Sequence, residues 1–237
     1  MGRLKTLNEW LDWQENLHSQ EIDLGLERIQ KIYQKLFPDG VPFQAITVAG
    51  TNGKGSTIAF IDSIYQQSDF KVGAFTSPHL IKYNERFTVN GEMVSDDNIC
   101  QAFEKIEDCR SETSLTYFEF STLAALIIFA DKKVEIAVLE VGLGGRLDSV
   151  NVVNPNVSVI TNIAIDHTDY LGDTREAIGF EKAGIMRKST PCVCGDQNPP
   201  TSIQKQADNI NARLTFINKP YQGSIVLKGK HQQYNAA

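Results

Sequence analysis

The stretch VAGTNGKGST, residues 48–57, sets three glycines and a lysine between an apolar run, AITVAG, and a helical pattern. A strand that turns through glycines straight into a helix is the opening unit of a parallel sheet wound with helices. The same turn presents backbone N–H groups and a helix N-terminus to an anion. Its spacing departs from the common G-x-x-x-x-G-K-[ST] pattern, because Gly50 and Gly53 are three apart and Gly55 separates Lys54 from Ser56. Two readings compete: a variant phosphate loop, or a tight turn carrying a solvated lysine.

The rest of the chain extends the pattern set by this unit. Short apolar runs follow in order: AITVAG, KVGAFTS, EIAVLEVG, VSVITNIA, TPCVCG and a weaker RLTFIN. Helices are expected between them at 57–67, 96–110, 117–131 and 174–187. Thr116 with Glu119, and Asp173 with Glu176, have the spacing of N-terminal capping boxes. Before the loop, residues 4–37 read as helix on periodicity, with Ile22, Leu26, Ile29, Tyr33 and Leu36 on one side and Leu4, Leu7 and Leu11 on a first face. FPDGVP then breaks it. The expected fold class is α/β: a mostly parallel sheet flanked by helices.

In open parallel sheets, ligands bind beyond the carboxyl ends of the strands. Polar residues follow each run at that end: Gly50, Thr51, Asn52, Gly53, Lys54, Gly55, Ser56 and Thr57 after the first, Thr76 and Ser77 after the second. The third run ends in Glu140 and the fourth leads to Asp166 and His167. If neighbouring strands carry these groups, they converge on one site.

Composition excludes other classes. A net charge of -6 offers no basic surface for nucleic acid. The longest apolar stretch, LAALIIFA at 123–130, is too short to cross a bilayer, and the N-terminus has no signal-peptide core. Gly2 and Thr6 fit a myristoylation spacing, but the leucines around them read better as a helix face. Cys192 and Cys194 form a lone C-x-C without the second pair that a zinc site needs, so they read as buried apolar thiols. Together with Cys100 and Cys109 they suit a reducing compartment, the cytoplasm.

Three charged residues stand out. Glu140 closes a strand too apolar to be exposed, so its carboxylate must cap a helix, be hydrogen-bonded, or bind a metal. His167 reads equally as a loop histidine satisfied by neighbouring aspartates. Lys182 lies four residues after Ile178 and three before Ile185, on the apolar side of its helix. Such a lysine either snorkels to water or has a lowered pKa and is reactive toward carbon dioxide.

GTNGKGST, TSPHL, YNERF, LTYFEF, LEVGLGGRLD, IDHTDYLG and EKAGI occur in this order, preceded by IDLGLERI. Together they resemble the bifunctional dihydrofolate synthase/folylpolyglutamate synthase family of bacteria, within the Mur ligase superfamily, over nearly the whole chain. The resemblance implies a Mur-type phosphate loop in which residues 50–57 hold ATP, with Asn235 of HQQYNAA contacting the adenine nucleotide. It implies one magnesium ion at Ser77 and Glu140, and a second near His167. Lys182 would be carbamylated and help to place that second metal. It makes Lys54, His167 and Lys182 the catalytic residues. Thr116, Tyr117, Phe118 and Glu119, with Leu147, Asp148 and Ser149, correspond to the pterin-binding segments.

The implied reaction joins L-glutamate to dihydropteroate or a reduced folate through an acyl phosphate, in a monomer that binds neither nucleic acid nor membrane. The family carries a second, smaller α/β domain after the NAA segment, and residues 219–234 are shorter than usual. The expectation is thus one ATP-binding domain over 1–237 with an N-terminal helical segment 1–40, able to bind nucleotide but not to turn over by itself. A non-catalytic nucleotide-binding remnant is the alternative. A Mur ligase of peptidoglycan synthesis is a third reading, which LTYFEF and IDLGLERI disfavour.

Overall fold

The computed structural model describes residues 5–237, so Gly2 and Leu4 of the expectations above lie outside the described residues. Eight strands follow in chain order: β1 (Gln44–Ala49), β2 (Val72–Phe75), β3 (Phe87–Val89), β4 (Glu92–Met93), β5 (Ile136–Glu140), β6 (Val157–Ile160), β7 (Pro191–Cys194) and β8 (Arg213–Phe216). They form one sheet in the order β4-β3-β2-β5-β1-β6-β7-β8. All six expected runs are strands of it, and the pairings from β2 across to β8 are parallel. β3 and β4 add an antiparallel edge. Its turn is Asn90-Gly91, both at positive φ (50° and 76°), the conformation a two-residue hairpin demands.

The side chains of a strand alternate between faces, and the core follows that alternation. Ile46, Val48, Val72, Ala74, Ile136 and Val138 pack under helix α3 (Lys54–Gln67). Ala45, Phe75, Ala137 and Leu139 point the other way, toward α5 (Tyr117–Asp131). This helix is buried all round from Glu119 to Phe129, because it is covered in turn by α1 (Leu7–Glu15), α2 (Glu27–Leu36) and α4 (Asp96–Arg110). Gly73 lets it close on the sheet, since a Cβ there would sit 2.7 Å from the Phe129 ring. Further along, Ile160, Cys192 and Cys194 pack with α7 (Arg175–Ala183) and α8 (Thr201–Ile210), and both thiols are fully buried, as the C-x-C reading expects. Two single-turn helices, α6 (Thr168–Leu171) and α9 (Gln232–Asn235), flank the cleft. No helix among the described residues is long and apolar enough to cross a membrane.

Three local expectations are corrected. The helical reading of 4–37 fails over residues 16–26, which are non-helical and separate α1 from α2. Side-chain bonds hold that break: His18 contacts Ser114 at 2.9 Å and Asp23 at 3.1 Å, and Arg28 donates to the Asp23 carbonyl at 2.6 Å. The helix over 174–187 stops at Ala183, where Gly184 meets Arg146 so closely that a Cβ would lie 2.3 Å from the arginine's own. The Thr116–Glu119 capping box is present, but the Asp173–Glu176 one is not. Thr174 caps α7 by accepting from the Ala177 N–H, and the Glu176 carboxylate instead accepts from Thr201 and Ser202 N–H at 2.9 and 2.8 Å, capping α8.

The corrected cap makes a direct prediction. Thr174→Ala should cost about 1 kcal/mol of unfolding free energy, and Asp173→Ala only a few tenths. Urea titration of the three proteins is the check, and a larger loss at Asp173 would reverse the assignment.

Candidate functional site

The strands that end in the expected site residues are neighbours. In the order β2-β5-β1-β6, their carboxyl ends deliver Ser77, Glu140, the 50–53 loop and the 161–167 segment to one edge of the sheet. The chain leaves β1 toward β2 and later crosses to β6, so a topological switch point lies beside β1.

Gly50 is fixed by packing, because a Cβ there would fall 1.8 Å from Thr161 Oγ1. Thr161 donates to the Asn52 carbonyl at 2.6 Å, and Asn52 N–H donates to Asn162 Oδ1 at 2.7 Å. The loop is therefore held by β6's exit as much as by its own glycines. Gly53 adopts φ +86° and caps α3, with Asn235 packed on it at 2.8 Å from where a Cβ would be. Gly55 faces open space. Lys54 Nζ donates to the Gly50 and Thr51 carbonyls at 3.0 and 3.4 Å. Ser56 Oγ accepts from Gln232 Nε2 at 3.2 Å. Thr57 is turned into the fold: its hydroxyl is buried without a partner, and it lines an apolar pocket with Phe60 and Ile61.

Ser77 N–H donates to Glu140 Oε2 at 3.0 Å, joining the two residues expected to share a metal. Glu140 is 4% exposed, and burial pushes its carboxyl upward against the Ser77 bond and the charges of Lys54 and Arg86. A serine hydroxyl beside a buried carboxylate is a hard-oxygen donor pair that suits magnesium. Among the described residues no group of three or more His, Cys, Asp or Glu is placed to hold a metal.

Lys182, 4% exposed, reaches a small cavity of about 30 Å³ with Gly50, Lys54, Asp166 and His167. Burial first, and the Lys54 charge second, lower its pKa to about 8, against the opposing pull of Asp166 and Asp148. The snorkelling reading is thereby set aside. His167 opens α6 at φ +49° with its side chain 55% exposed and its Nε2 3.8 Å from Asp166 Oδ2.

His167 also borders a second cavity of about 220 Å³, walled by Thr116, Phe118 and Glu119, by Leu147, Asp148 and Ser149, and by residues 21–25. The two expected substrate segments thus share one cavity, except that Tyr117 faces the next one, of about 640 Å³, with His79 and Arg86. Asp148 is pushed up to about 6 by burial, against the donated N–H groups of Leu143 and Val150. On the far side of the loop, Asn52, Gly53 and Asn235 line a cavity of about 340 Å³ with Asp196, His231 and Tyr234.

Several residues here were missed in the sequence. Residues 21–25 were absorbed into a helix. Asn162 was visible only as a polar residue at a strand end. Arg86, buried at 8% exposure, lies 5.5 and 5.6 Å from the Tyr83 and Tyr117 rings and donates from Nε to His79 Nδ1 at 2.9 Å. Burial and Arg86 lower the His79 pKa, and the bond leaves Nε2 as the protonated, donating nitrogen of a neutral ring. The YNERF motif contained the arginine without showing where it points.

Residues 48–212 match the Mur ligase middle domain. The dihydrofolate synthase/folylpolyglutamate synthase of Haemophilus influenzae is 47% identical over 209 residues, covering 88% of this chain and 47% of that protein. Among solved structures, Escherichia coli FolC in complex with DHPP and ADP superposes with a TM-score of 0.88 at 45% identity, over 90% of this chain and 52% of that one. A bifunctional folylpolyglutamate synthase/dihydrofolate synthase with Mn, AMPPNP and L-Glutamate bound gives 0.84 at 44%, over 90% and 52%. The chain spans about half the length of these relatives.

The buried lysine makes the site's prediction. Between pH 8 and 10.5 the unfolded chain binds more protons at Lys182 than the folded one, so stability contributed by this group rises with pH across that window. Below pH 8 the cost of burying the ammonium is fully present. In buffer freed of carbon dioxide, Lys182→Met should be more stable than the parent near neutral pH, with the gap closing toward pH 10.5. A gap independent of pH, measured by urea titration across the range, would mean that the amine is solvated in the fold.

Proposed function

The chain belongs to the Mur ligase family, and on that premise we propose that it is the ATP-binding part of an ATP-dependent ligase joining L-glutamate to dihydropteroate or a reduced folate. The observation that carries this reading is the meeting of phosphate loop, Ser77–Glu140 pair and Lys182 at the ends of four adjacent strands. The Haemophilus influenzae relative supports it through the activities in its name, and the two solved structures through the ligands in theirs, DHPP and ADP in one and Mn, AMPPNP and L-Glutamate in the other.

In this reading the nucleotide lies across the loop, with its base toward Asn235 and its phosphates on the N-terminus of α3. Lys54 moves its ammonium from the loop carbonyls to the β- and γ-phosphates, which outcompete neutral acceptors. Ser77 and Glu140 would hold one magnesium ion, and His167 with a carbamylated Lys182 a second. Bound magnesium supplies positive charge against the charge that develops on the transferred phosphoryl group. As an ammonium Lys182 would repel a cation, whereas its lowered pKa leaves neutral amine to add carbon dioxide and lose a proton, giving an anionic carbamate.

The pterin occupies the cavity of Glu119 and Asp148, directing its carboxylate past His167 toward the γ-phosphate. That carboxylate attacks the γ-phosphorus as its bond to the β,γ-bridging oxygen breaks, giving an acyl phosphate and ADP. The amine of L-glutamate then displaces phosphate, forming the amide. Arg86 and the His79 Nε2–H, which line the larger cavity, would offer two donors for a substrate carboxylate.

Two measurements test the reading. Lys54→Ala should weaken Mg-ATP at least about tenfold in calorimetric titration, with the urea midpoint little changed, and equal affinities would sink the phosphate-loop assignment. In ¹³C-bicarbonate buffer, a carbamate carbon resonance should appear with the parent chain and vanish with Lys182→Met. Its absence from both would remove the carbamate.

A further inference from the structure

The segment 16–26 separates the two cavities on the substrate side: Glu21 and Ile22 line both, and Asp23, Leu24 and Gly25 line the smaller. It has no regular structure of its own, so its position depends on what grips it. Arg28 holds the centre of the grip. Its Nη1 lies 2.6 Å from Asp23 Oδ2 and its Nη2 donates to the Asp23 carbonyl at 2.6 Å. Its Nε donates to Glu119 Oε2 at 3.4 Å, and Nη2 lies 3.3 Å from Glu119 Oε1 without hydrogen-bond geometry. Glu119 is 3% exposed and already accepts from Thr116 N–H at 2.8 Å, which anchors it to the start of α5. On the other side, His18 bridges Asp23 Oδ2 and Ser114 Oγ at 3.1 and 2.9 Å. Gly25 N–H donates to the Leu147 carbonyl at 3.2 Å, tying the segment to the third wall.

The three walls of the smaller cavity, residues 21–25, Thr116 with Phe118 and Glu119, and Leu147 with Asp148 and Ser149, therefore meet through this grip and the Gly25–Leu147 bond. Arg28 itself lines neither cavity. We propose that His18, Asp23, Arg28 and Glu119 form a clasp that holds segment 16–26 as a wall of the substrate cavity, with Arg28 a positioning residue that sets affinity for the pterin substrate and leaves nucleotide binding untouched. The physical ground is that one guanidinium satisfies a carboxylate, a carbonyl and a second carboxylate in a fixed planar geometry, which a lysine's single ammonium cannot reproduce. The wall is then ordered before the substrate arrives, and the ordering cost is not charged to binding. This inference rests on the substrate reading above.

The test uses the 237-residue chain with dihydropteroate and Mg-ADP as probes, each titrated separately. Arg28→Gln should weaken dihydropteroate at least about tenfold and change Mg-ADP less than about twofold. Arg28→Lys should recover little, and millimolar guanidinium should restore much of the lost affinity to Arg28→Ala. Asp23→Asn should lose a similar amount, and the double variant Asp23→Asn/Arg28→Gln no more than the worse single, because a clasp opened once has nothing further to release. Equal loss of both ligands, or full dihydropteroate affinity in the lysine variant, would make Arg28 merely structural and overturn the clasp. A parent that binds dihydropteroate and an Arg28→Gln that binds it equally would overturn the clasp alone. A parent that takes Mg-ADP but no dihydropteroate would overturn the substrate reading and the clasp with it.

Discussion

The cleft depends on the parallel pairing of β1 with β5 on one side and β6 on the other. The register sets Val48 opposite Glu140, Ala49 opposite Ile160 and Phe75 opposite Leu139, so all four central strands run out at one level. Four chain segments leave the sheet side by side, and each brings different chemistry. A slip of one residue would turn every side chain to the other face. It would point Glu140 away from Ser77 and undo the packing of Gly50 against Thr161. The cleft is a consequence of the register, which close packing such as Gly73 against the Phe129 ring and Gly50 against Thr161 holds in place.

Within that frame, burial does most of the chemical tuning. Glu140 and Asp148 are pushed upward and Lys182 downward, each chiefly because the cleft withholds water from its charged form. The groups oppose one another in sign, so a cation entering beside Glu140 and an anion forming at Lys182 would each relieve part of the strain left by the other. Lys54 stands between them, close enough to act on Glu140, Asp148 and Lys182 alike. A polyanionic ligand that draws the Lys54 ammonium toward itself would change the electrostatics of all three.

The parts of this fold written in local sequence were legible before the structure. The strand–loop–helix at 44–67 and the Thr116 cap rest on short-range rules, whereas the convergence of strand ends was conditional on a strand order that distant pairings set. What escaped depends on residues far apart in the chain. Ile22 and Leu26 kept a helical period through segment 16–26, yet Ile22 is 36% exposed, and the break is fixed by Ser114 and Leu147, over ninety positions away. Arg86 became part of the site only because Tyr117 and His79 close on it. Two omissions had signals in plain view: Asn90-Gly91 is a hairpin turn, and Ile203, Ala207 and Ile210 carry the period of α8. The misassigned cap at Asp173 shows a limit of spacing rules, since Glu176 had a better use at the start of the next helix.

The central claim is that one nucleotide is gripped by the ends of these four strands. The most direct measurement is a crystal structure of the chain soaked with a non-hydrolysable ATP analogue and magnesium. The account predicts phosphate oxygens on the N–H groups of residues 51–56, the Lys54 ammonium turned onto them, and a metal ion between Ser77 Oγ and the Glu140 carboxylate. A nucleotide bound elsewhere, with Lys54 still on the Gly50 and Thr51 carbonyls and no cation at Glu140, would contradict it.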